Sequence, residues 1–138
     1  VEVVGYGYTE LDEYLEKHAK KQNRVIVPDP HPERGYYFRS DQFSMTKKGI
    51  PAMYASAGNN YIGKDEAYSE MVSQDKAARY HQPSDTIHDL WRYDGIYQDL
   101  WLYFHIGKDL ANSDDFPGWV KESEFKNIRE QTAGKRQR

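Results

Sequence analysis

Two short runs of β-branched residues, one on either side of an amphipathic helix, constrain the fold of this chain more than any other feature. The first run is "VEVV" at residues 1–4, and the second is "RVIV" at residues 24–27, ended by Pro28. A continuous apolar run predicts a strand buried on both faces, as in a parallel sheet. The order strand, helix, strand is typical of a layered α/β domain.

The segment between the two runs, "TELDEYLEKHAKKQN" at residues 9–23, predicts a helix. Five residues fall at i, i+3, i+4, i+7 and i+8 and form one apolar face: Leu11, Tyr14, Leu15, His18 and Ala19. Thr9 is placed to cap this helix, with Asp12 at the position of a capping carboxylate.

Later segments continue the alternation. "RSDQFSMTKKG" at residues 39–49 predicts a short helix capped by Ser40 and ended at Gly49, and "IPAMYAS" at residues 50–56 predicts a third buried strand. Residues 58–85 are irregular, with one weak helix near residues 65–78, and a connection of that length is usually functional or disordered. The sequence therefore predicts an α/β domain with a mainly parallel sheet.

The last third of the chain is rich in aromatic residues. Residues 93–112 predict a long helix that packs through one apolar side with Trp101 beside it; that side comprises Ile96, Leu100, Tyr103, Phe104 and Leu110. "FPGWVKESEFKNIR" at residues 116–129 predicts a short helix or turn that docks Trp119 and Phe125.

Composition limits the class of protein. A chain of 138 residues suits one domain, which we place at residues 1–130, with a disordered basic tail at residues 131–138. A net charge of −3 gives no reason to expect nucleic acid or an anionic membrane as the main partner. The absence of cysteine excludes disulfides and thiolate zinc sites, and no apolar run approaches the roughly 20 residues of a membrane span.

The segment "YHQPSD" at residues 80–85 holds the main candidates for chemistry. His81 lies beyond the last predicted strand, and open α/β sheets bind ligands at the carboxyl ends of their strands. Asp85 could accept the second ring N–H of His81, and the Tyr80 phenol could donate to a developing oxyanion. The alternatives are a surface histidine, a capping Asp85 and a packing Tyr80.

A second candidate segment is "RSD" at residues 39–41. A guanidinium beside a helix N-terminus forms a natural anion site, so Arg39 could hold a substrate carboxylate or carbonyl. The alternative is a surface ion pair between Arg39 and Asp41. The other histidines show no ligand spacing, and His18 and His105 are better explained by packing.

The order "FRSDQFSMTKKGIPAMY", a long loop, "YHQPSDT" and an aromatic helix resembles one family. It is similar to the C-terminal half of the zinc-dependent aminopeptidases with a two-zinc site, whose clan also includes glutamate carboxypeptidases and glutaminyl cyclases. "VEVVGYGYTELDEYL" fits the same half, and the likeness extends to about Arg129. The resemblance implies a three-layer α/β/α sandwich with two zinc ions at the carboxyl ends of its strands.

The resemblance also implies roles for individual residues. Five ligands hold the two ions in the family, and His81 matches the final histidine ligand. Tyr80 matches a tyrosine that hydrogen-bonds the tetrahedral intermediate in several members, and Arg39 and Asp41 match a pocket-lining segment. Gln42 stands where many members have histidine, which places the pocket detail in question. The other four ligands and the general-base glutamate would lie upstream of this chain.

Several expectations follow from that resemblance. The parent protein would hydrolyse N-terminal peptide bonds with two zinc ions, and this chain alone would be inactive and bind no zinc tightly. Its partners would be a peptide substrate and the missing N-terminal half, in a periplasmic or extracellular parent. A receptor-like relative without catalysis, a carboxypeptidase and a glutaminyl cyclase remain open. A sheet cut through its middle exposes an edge and an apolar face, so we also expect the chain to self-associate or to be only marginally stable.

Overall fold

The computed structural model describes residues 1–89, 91–131 and 134 and shows a mixed α/β chain. In chain order the elements are β1 (Glu2–Val4), α1 (Leu11–Lys21), β2 (Val27–Pro28), a 3₁₀ turn (Pro32–Arg34), α2 (Tyr36–Arg39), α3 (Phe43–Thr46), β3 (Tyr54–Ser56), α4 (Glu66–Arg79), α5 (Tyr93–Ala111) and α6 (Lys126–Gln131). The tail predicted at residues 131–138 lies outside the described residues, except for Gln131 and Gly134.

The three strands form one small sheet in the order β2-β1-β3. β1 pairs with β2 in parallel, with Glu2 opposite Val27. β1 pairs with β3 antiparallel, with Val3 opposite Ala55. The described sheet is therefore mixed, with one pairing of each kind.

The prediction that residues 24–27 and 50–56 form buried strands is wrong for most of their side chains. Val25 lies before β2 and is 75% exposed, and Val27 within β2 is 42% exposed. In β3 only Ala55 is buried, while Tyr54 and Ser56 are exposed. A continuous apolar run shows that a strand tolerates burial, but not that another element covers it.

The main core lies between the sheet and the helices α1 and α5. It consists of Val3, Leu15, Ala19, Ala55, Leu102 and Ile106. The predicted inner face of α1 is confirmed, since Leu15, His18 and Ala19 are buried. Burial of each Val, Leu or Ile side chain of this core contributes about 1.5–3 kcal/mol relative to leaving it exposed.

The start of α1 differs from the prediction. Glu10 occupies the N-cap position without a side-chain hydrogen bond. Thr9 is buried in an isolated antiparallel bridge with Trp119, so it does not cap the helix. Asp12 Oδ2 instead accepts a hydrogen bond of 2.6 Å from the Gly7 N–H and fixes the preceding turn.

The long helix α5 packs through only part of the side that the sequence indicated: Leu110 packs against the main core, and the Tyr103 hydroxyl donates to the Ala55 carbonyl. Its buried residues are Leu102 and Ile106. Leu100 and Phe104, predicted to face the core, are 59% and 54% exposed. Large apolar residues such as Trp101 and Phe104 also stand outside the buried side, so periodicity does not identify the side that meets α1.

A second cluster fixes the C-terminal segment, as predicted for Trp119 and Phe125. These two residues pack with Tyr37. The Trp119 Nε1–H donates a hydrogen bond of 3.0 Å to the Gly49 carbonyl.

No helix in the described part of the chain is long and apolar enough to cross a bilayer.

Candidate functional site

The candidate residues Tyr80 and His81 lie in the turn that ends α4. This helix, predicted near residues 65–78, begins with the Asp65 side chain accepting a hydrogen bond of 2.9 Å from the Tyr68 N–H. At the other end the Tyr80 N–H donates to the Lys76 carbonyl at 2.9 Å. His81 then adopts φ +58°, in the left-handed region, and the chain turns away from the helix.

The two candidate side chains stack on each other. The ring centroids of Tyr80 and His81 are 3.9 Å apart, with 19° between their planes. Tyr80 is 60% exposed and His81 is also exposed, so both polar ends are open to a ligand. A histidine at positive φ costs about 1–3 kcal/mol, and such backbone strain is concentrated at functional sites.

Two side-chain contacts of one carboxylate hold this turn against α4. Asp75 Oδ1 accepts a hydrogen bond of 2.8 Å from Arg79 Nε, and Asp75 Oδ2 lies 3.3 Å from His88 Nε2. Arg79 Nη1 donates to the Ser84 carbonyl at 2.8 Å. Asp75, Arg79, Ser84 and His88 therefore clamp the residues on both sides of His81, and we call this group the turn clamp.

The turn clamp was missed by the sequence analysis. The pair Asp75 and Arg79 stands at i, i+4 on a predicted helix, so its ion pair could have been found from spacing alone. His88 comes from beyond the turn, and no local pattern connects it to Asp75. Only the reversal of the chain at His81 brings the two together.

Asp85, the predicted partner of the His81 ring, takes part in the turn through its backbone. Its N–H donates a hydrogen bond of 3.0 Å to the Gln82 carbonyl. Within residues 80–85, all of which the structure describes, no hydrogen bond joins the Asp85 carboxylate to His81. The role of Asp85 in orienting the ring stays a prediction.

Arg39 and Asp41 lie between two single-turn helices. Arg39 is the last residue of α2, and Asp41 precedes α3, whose N-cap is Gln42. Ser40 does not cap α3 as predicted, because its Oγ donates a hydrogen bond of 2.6 Å to the Tyr36 carbonyl. Gln42 Nε2 donates to the Tyr37 carbonyl at 3.3 Å, so this side chain is tied to the backbone.

The two candidate segments are not joined to each other. Arg39 and Asp41 are both exposed, and among the described residues no ion pair connects them. In the same part of the chain, no hydrogen bond or ion pair links either residue to Tyr80 or His81. The substrate-binding role of Arg39 and Asp41 stays a prediction.

The described residues do not by themselves fit a zinc centre. Across residues 1–89, 91–131 and 134 no group of three or more His, Cys, Asp or Glu side chains is placed to hold a metal ion. A catalytic zinc needs about three protein ligands. His81 therefore offers one accessible imidazole, and we derive no metal-dependent step for this chain alone.

The comparisons with known proteins give one match. The family model for Peptidase family M28 matches residues 2–104, which include Arg39, Asp41, Tyr80, His81 and Asp85. No curated protein and no solved structure matches the chain. The family model spans well over half of the sequence, including both candidate segments and the turn clamp. The chain therefore belongs to peptidase family M28.

Proposed function

We propose that this chain is the C-terminal part of a zinc-dependent aminopeptidase domain and supplies His81 as one ligand of its two-zinc site. Membership of family M28 supports a peptidase function for the parent protein, and the family is generally zinc-dependent. The observation that carries the proposal is the exposed, stacked Tyr80–His81 pair on a turn with positive φ. An exposed imidazole on a clamped turn can enter a site completed by another segment.

The remaining ligands would come from the upstream half of the same three-layer sandwich. A single imidazole binds zinc weakly, because a catalytic ion requires about three protein ligands. The chain alone is then inactive, and its partners are the upstream half and a peptide substrate.

Tyr80 has a separate role in the proposal. Its phenol would donate a hydrogen bond to the oxyanion that forms when the peptide carbonyl is attacked. Removal of one such donor costs about 100- to 1,000-fold in kcat. The stacking of Tyr80 on His81 at 3.9 Å holds the phenol beside the imidazole.

The first experiment measures zinc content. We expect less than one zinc per chain for the 138-residue protein and two per chain for a longer protein that includes the upstream half. His81→Ala in the longer protein should lose one zinc and the peptidase activity. His31→Ala is the matched control, because His31 is also exposed but pairs with Glu33 away from the turn. Equal zinc in the longer wild-type protein and in His81→Ala would show that His81 is not a ligand.

The second experiment measures hydrolysis of peptides with a free N-terminus. In the longer protein, Tyr80→Phe should keep both zinc ions and lose most of kcat, whereas His81→Ala should lose one zinc ion together with the activity. Hydrolysis by the 138-residue chain alone, abolished by a chelator, would contradict the proposed division of the site. Release of C-terminal residues, without release of N-terminal ones, would replace the aminopeptidase assignment with a carboxypeptidase one.

A further inference from the structure

The outer side of α5 carries a regular row of aromatic residues that the core does not use. Tyr97, Trp101 and Phe104 are 71%, 60% and 54% exposed. Together with Asp94 before them and Lys108 after them they stand at alternating spacings of three and four residues. That spacing is the a/d pattern of a helix that packs against a second helix, and we call these five residues the outer seam.

Two of the three rings of the outer seam contact each other. Trp101 stacks on Phe104 with ring centroids 5.3 Å apart and 14° between the planes. Trp101 also meets the edge of His105 at 5.0 Å. A groove of about 790 Å³ runs along these side chains and the neighbouring Leu100. Rigid, half-exposed aromatic residues lose little side-chain entropy on binding, and Trp and Tyr are enriched among the residues that dominate interface energies.

The charges of the outer seam make it complementary to itself. Asp94 lies at one end and Lys108 at the other, and Trp101 stands midway between them in the sequence. In an antiparallel pair of α5 helices with the two-fold axis at Trp101, each Asp94 meets the Lys108 of the second copy. An interface of this isologous kind uses the same surface on both partners.

The charged ends are available for that pairing. The Asp94 side chain is 69% exposed, and its two oxygens accept hydrogen bonds from Arg92 Nε at 3.3 Å and Nη2 at 3.0 Å. Each carboxylate oxygen has two acceptor lone pairs, so a second cation can bind on the open side. Lys108 is exposed, and no ion pair with another described residue involves its side chain. A parallel pair would place like charges together at both ends, so the seam favours the antiparallel arrangement.

The area is sufficient for a weak dimer. At about 200 Å² per ring, the three aromatic side chains leave roughly 370 Å² per copy in solvent. Leu100 and the two charged ends bring the total for two copies to about 1,000–1,200 Å², the lower end of specific interfaces. We propose that the outer seam of α5 docks on the outer seam of a second copy, in an antiparallel pair centred on Trp101.

Sedimentation velocity of the full 138-residue chain, from low-micromolar to sub-millimolar concentration, tests the proposal. We expect a concentration-dependent dimer that Trp101→Asp weakens by at least about tenfold. Ile87→Asp is the matched control, since Ile87 is 72% exposed and lies outside the seam. Circular dichroism of each variant confirms that the helices are retained.

A charge exchange tests the antiparallel register. Asp94→Lys and Lys108→Asp should each weaken the dimer by about three- to tenfold, and the double exchange should restore most of the loss. Restoration would support the pairing. Each single exchange places like charges opposite each other, whereas the double exchange again places opposite charges together.

Three outcomes would overturn the proposal. A chain that stays monomeric throughout the concentration range would show that another partner, or no partner, covers the seam. A dimer that Trp101→Asp does not weaken would place the contact elsewhere. In the double variant, a loss of dimer affinity equal to the product of the two single losses would mean that there is no recovery. That result would reject the antiparallel register.

Discussion

His18 Nε2 on α1 lies 2.8 Å from Asp109 Oδ2 on α5, and Lys17 Nζ lies 2.7 Å from the same oxygen. The His18 ring is buried and stacks on His105 at 5.7 Å, so this carboxylate joins the two helices that cover the sheet. The packing role predicted for His18 is confirmed by its burial, but its contact with Asp109 was not foreseen. No local pattern connects residues so far apart in the sequence.

This contact makes the stability of the fold depend on pH. Hydrogen bonds from Lys17 and His18 lower the pKa of Asp109 to about 2 from its usual 3.8. Because the pKa is lower in the folded state, the stabilisation is fully present above about pH 4 and is lost as the pH falls towards about 2. Melting temperatures of the wild type and Asp109→Asn should differ near neutral pH and converge in that window. An equal difference at every pH would contradict the assignment.

The two leucines of α5 provide a matched test of which side of the helix packs. Leu102 is 1% exposed in the main core, whereas Leu100 is 59% exposed. We expect Leu102→Ala to lower the free energy of unfolding by about 2–5 kcal/mol and Leu100→Ala to change it by less than about 0.5 kcal/mol. Urea unfolding at concentrations where the chain is monomeric measures both. A larger loss for Leu100→Ala than for Leu102→Ala would show that the side of α5 predicted from the sequence faces the core.

Gly49 permits a close approach between the end of the α3 segment and α6. Its φ is +76°, and a Cβ there would lie 2.7 Å from the Arg129 backbone nitrogen. We expect Gly49→Ala to cost more than about 2 kcal/mol, from backbone strain and displacement of α6. Gly63→Ala is the control, because Gly63 has φ +73° but no atom within 4 Å of the added Cβ, so strain alone should cost about 1 kcal/mol. Equal decreases in melting temperature for Gly49→Ala and Gly63→Ala would contradict the contact with α6.

The turn clamp should restrain the backbone around His81. Arg79→Met removes the hydrogen bonds from Arg79 to Asp75 and to the Ser84 carbonyl. We expect the Gln82 and Asp85 amides to exchange their hydrogens about tenfold faster, which corresponds to roughly 1.4 kcal/mol of lost restraint. Gln74→Met is the control, since the exposed Gln74 side chain donates to Glu70 Oε1 and makes no hydrogen bond to the turn among the described residues. Unchanged exchange in Arg79→Met would show that the turn is held without the clamp.

The sequence by itself determined the helices with a clear one-sided pattern and the residues of the family motif. The spacing of Leu15, His18 and Ala19 predicted the inner face of α1, because polar residues occupy all its other sides. The segments around Arg39 and His81 pointed to a zinc exopeptidase, and the family match extends over both. The order of the residues within each segment and the chemical types of their side chains were enough for these conclusions.

The tertiary structure alone decided which apolar surfaces are covered. The side of α5 at Leu102 and Ile106 faces the core because α1 and the sheet meet it there, and this leaves Trp101 and Phe104 in solvent. Thr9 pairs with Trp119 instead of capping α1, and His88 meets Asp75 across the turn at His81. Each of these contacts joins residues that are distant in the chain or lie across a reversal, and hydrophobic periodicity carries no information about such partners.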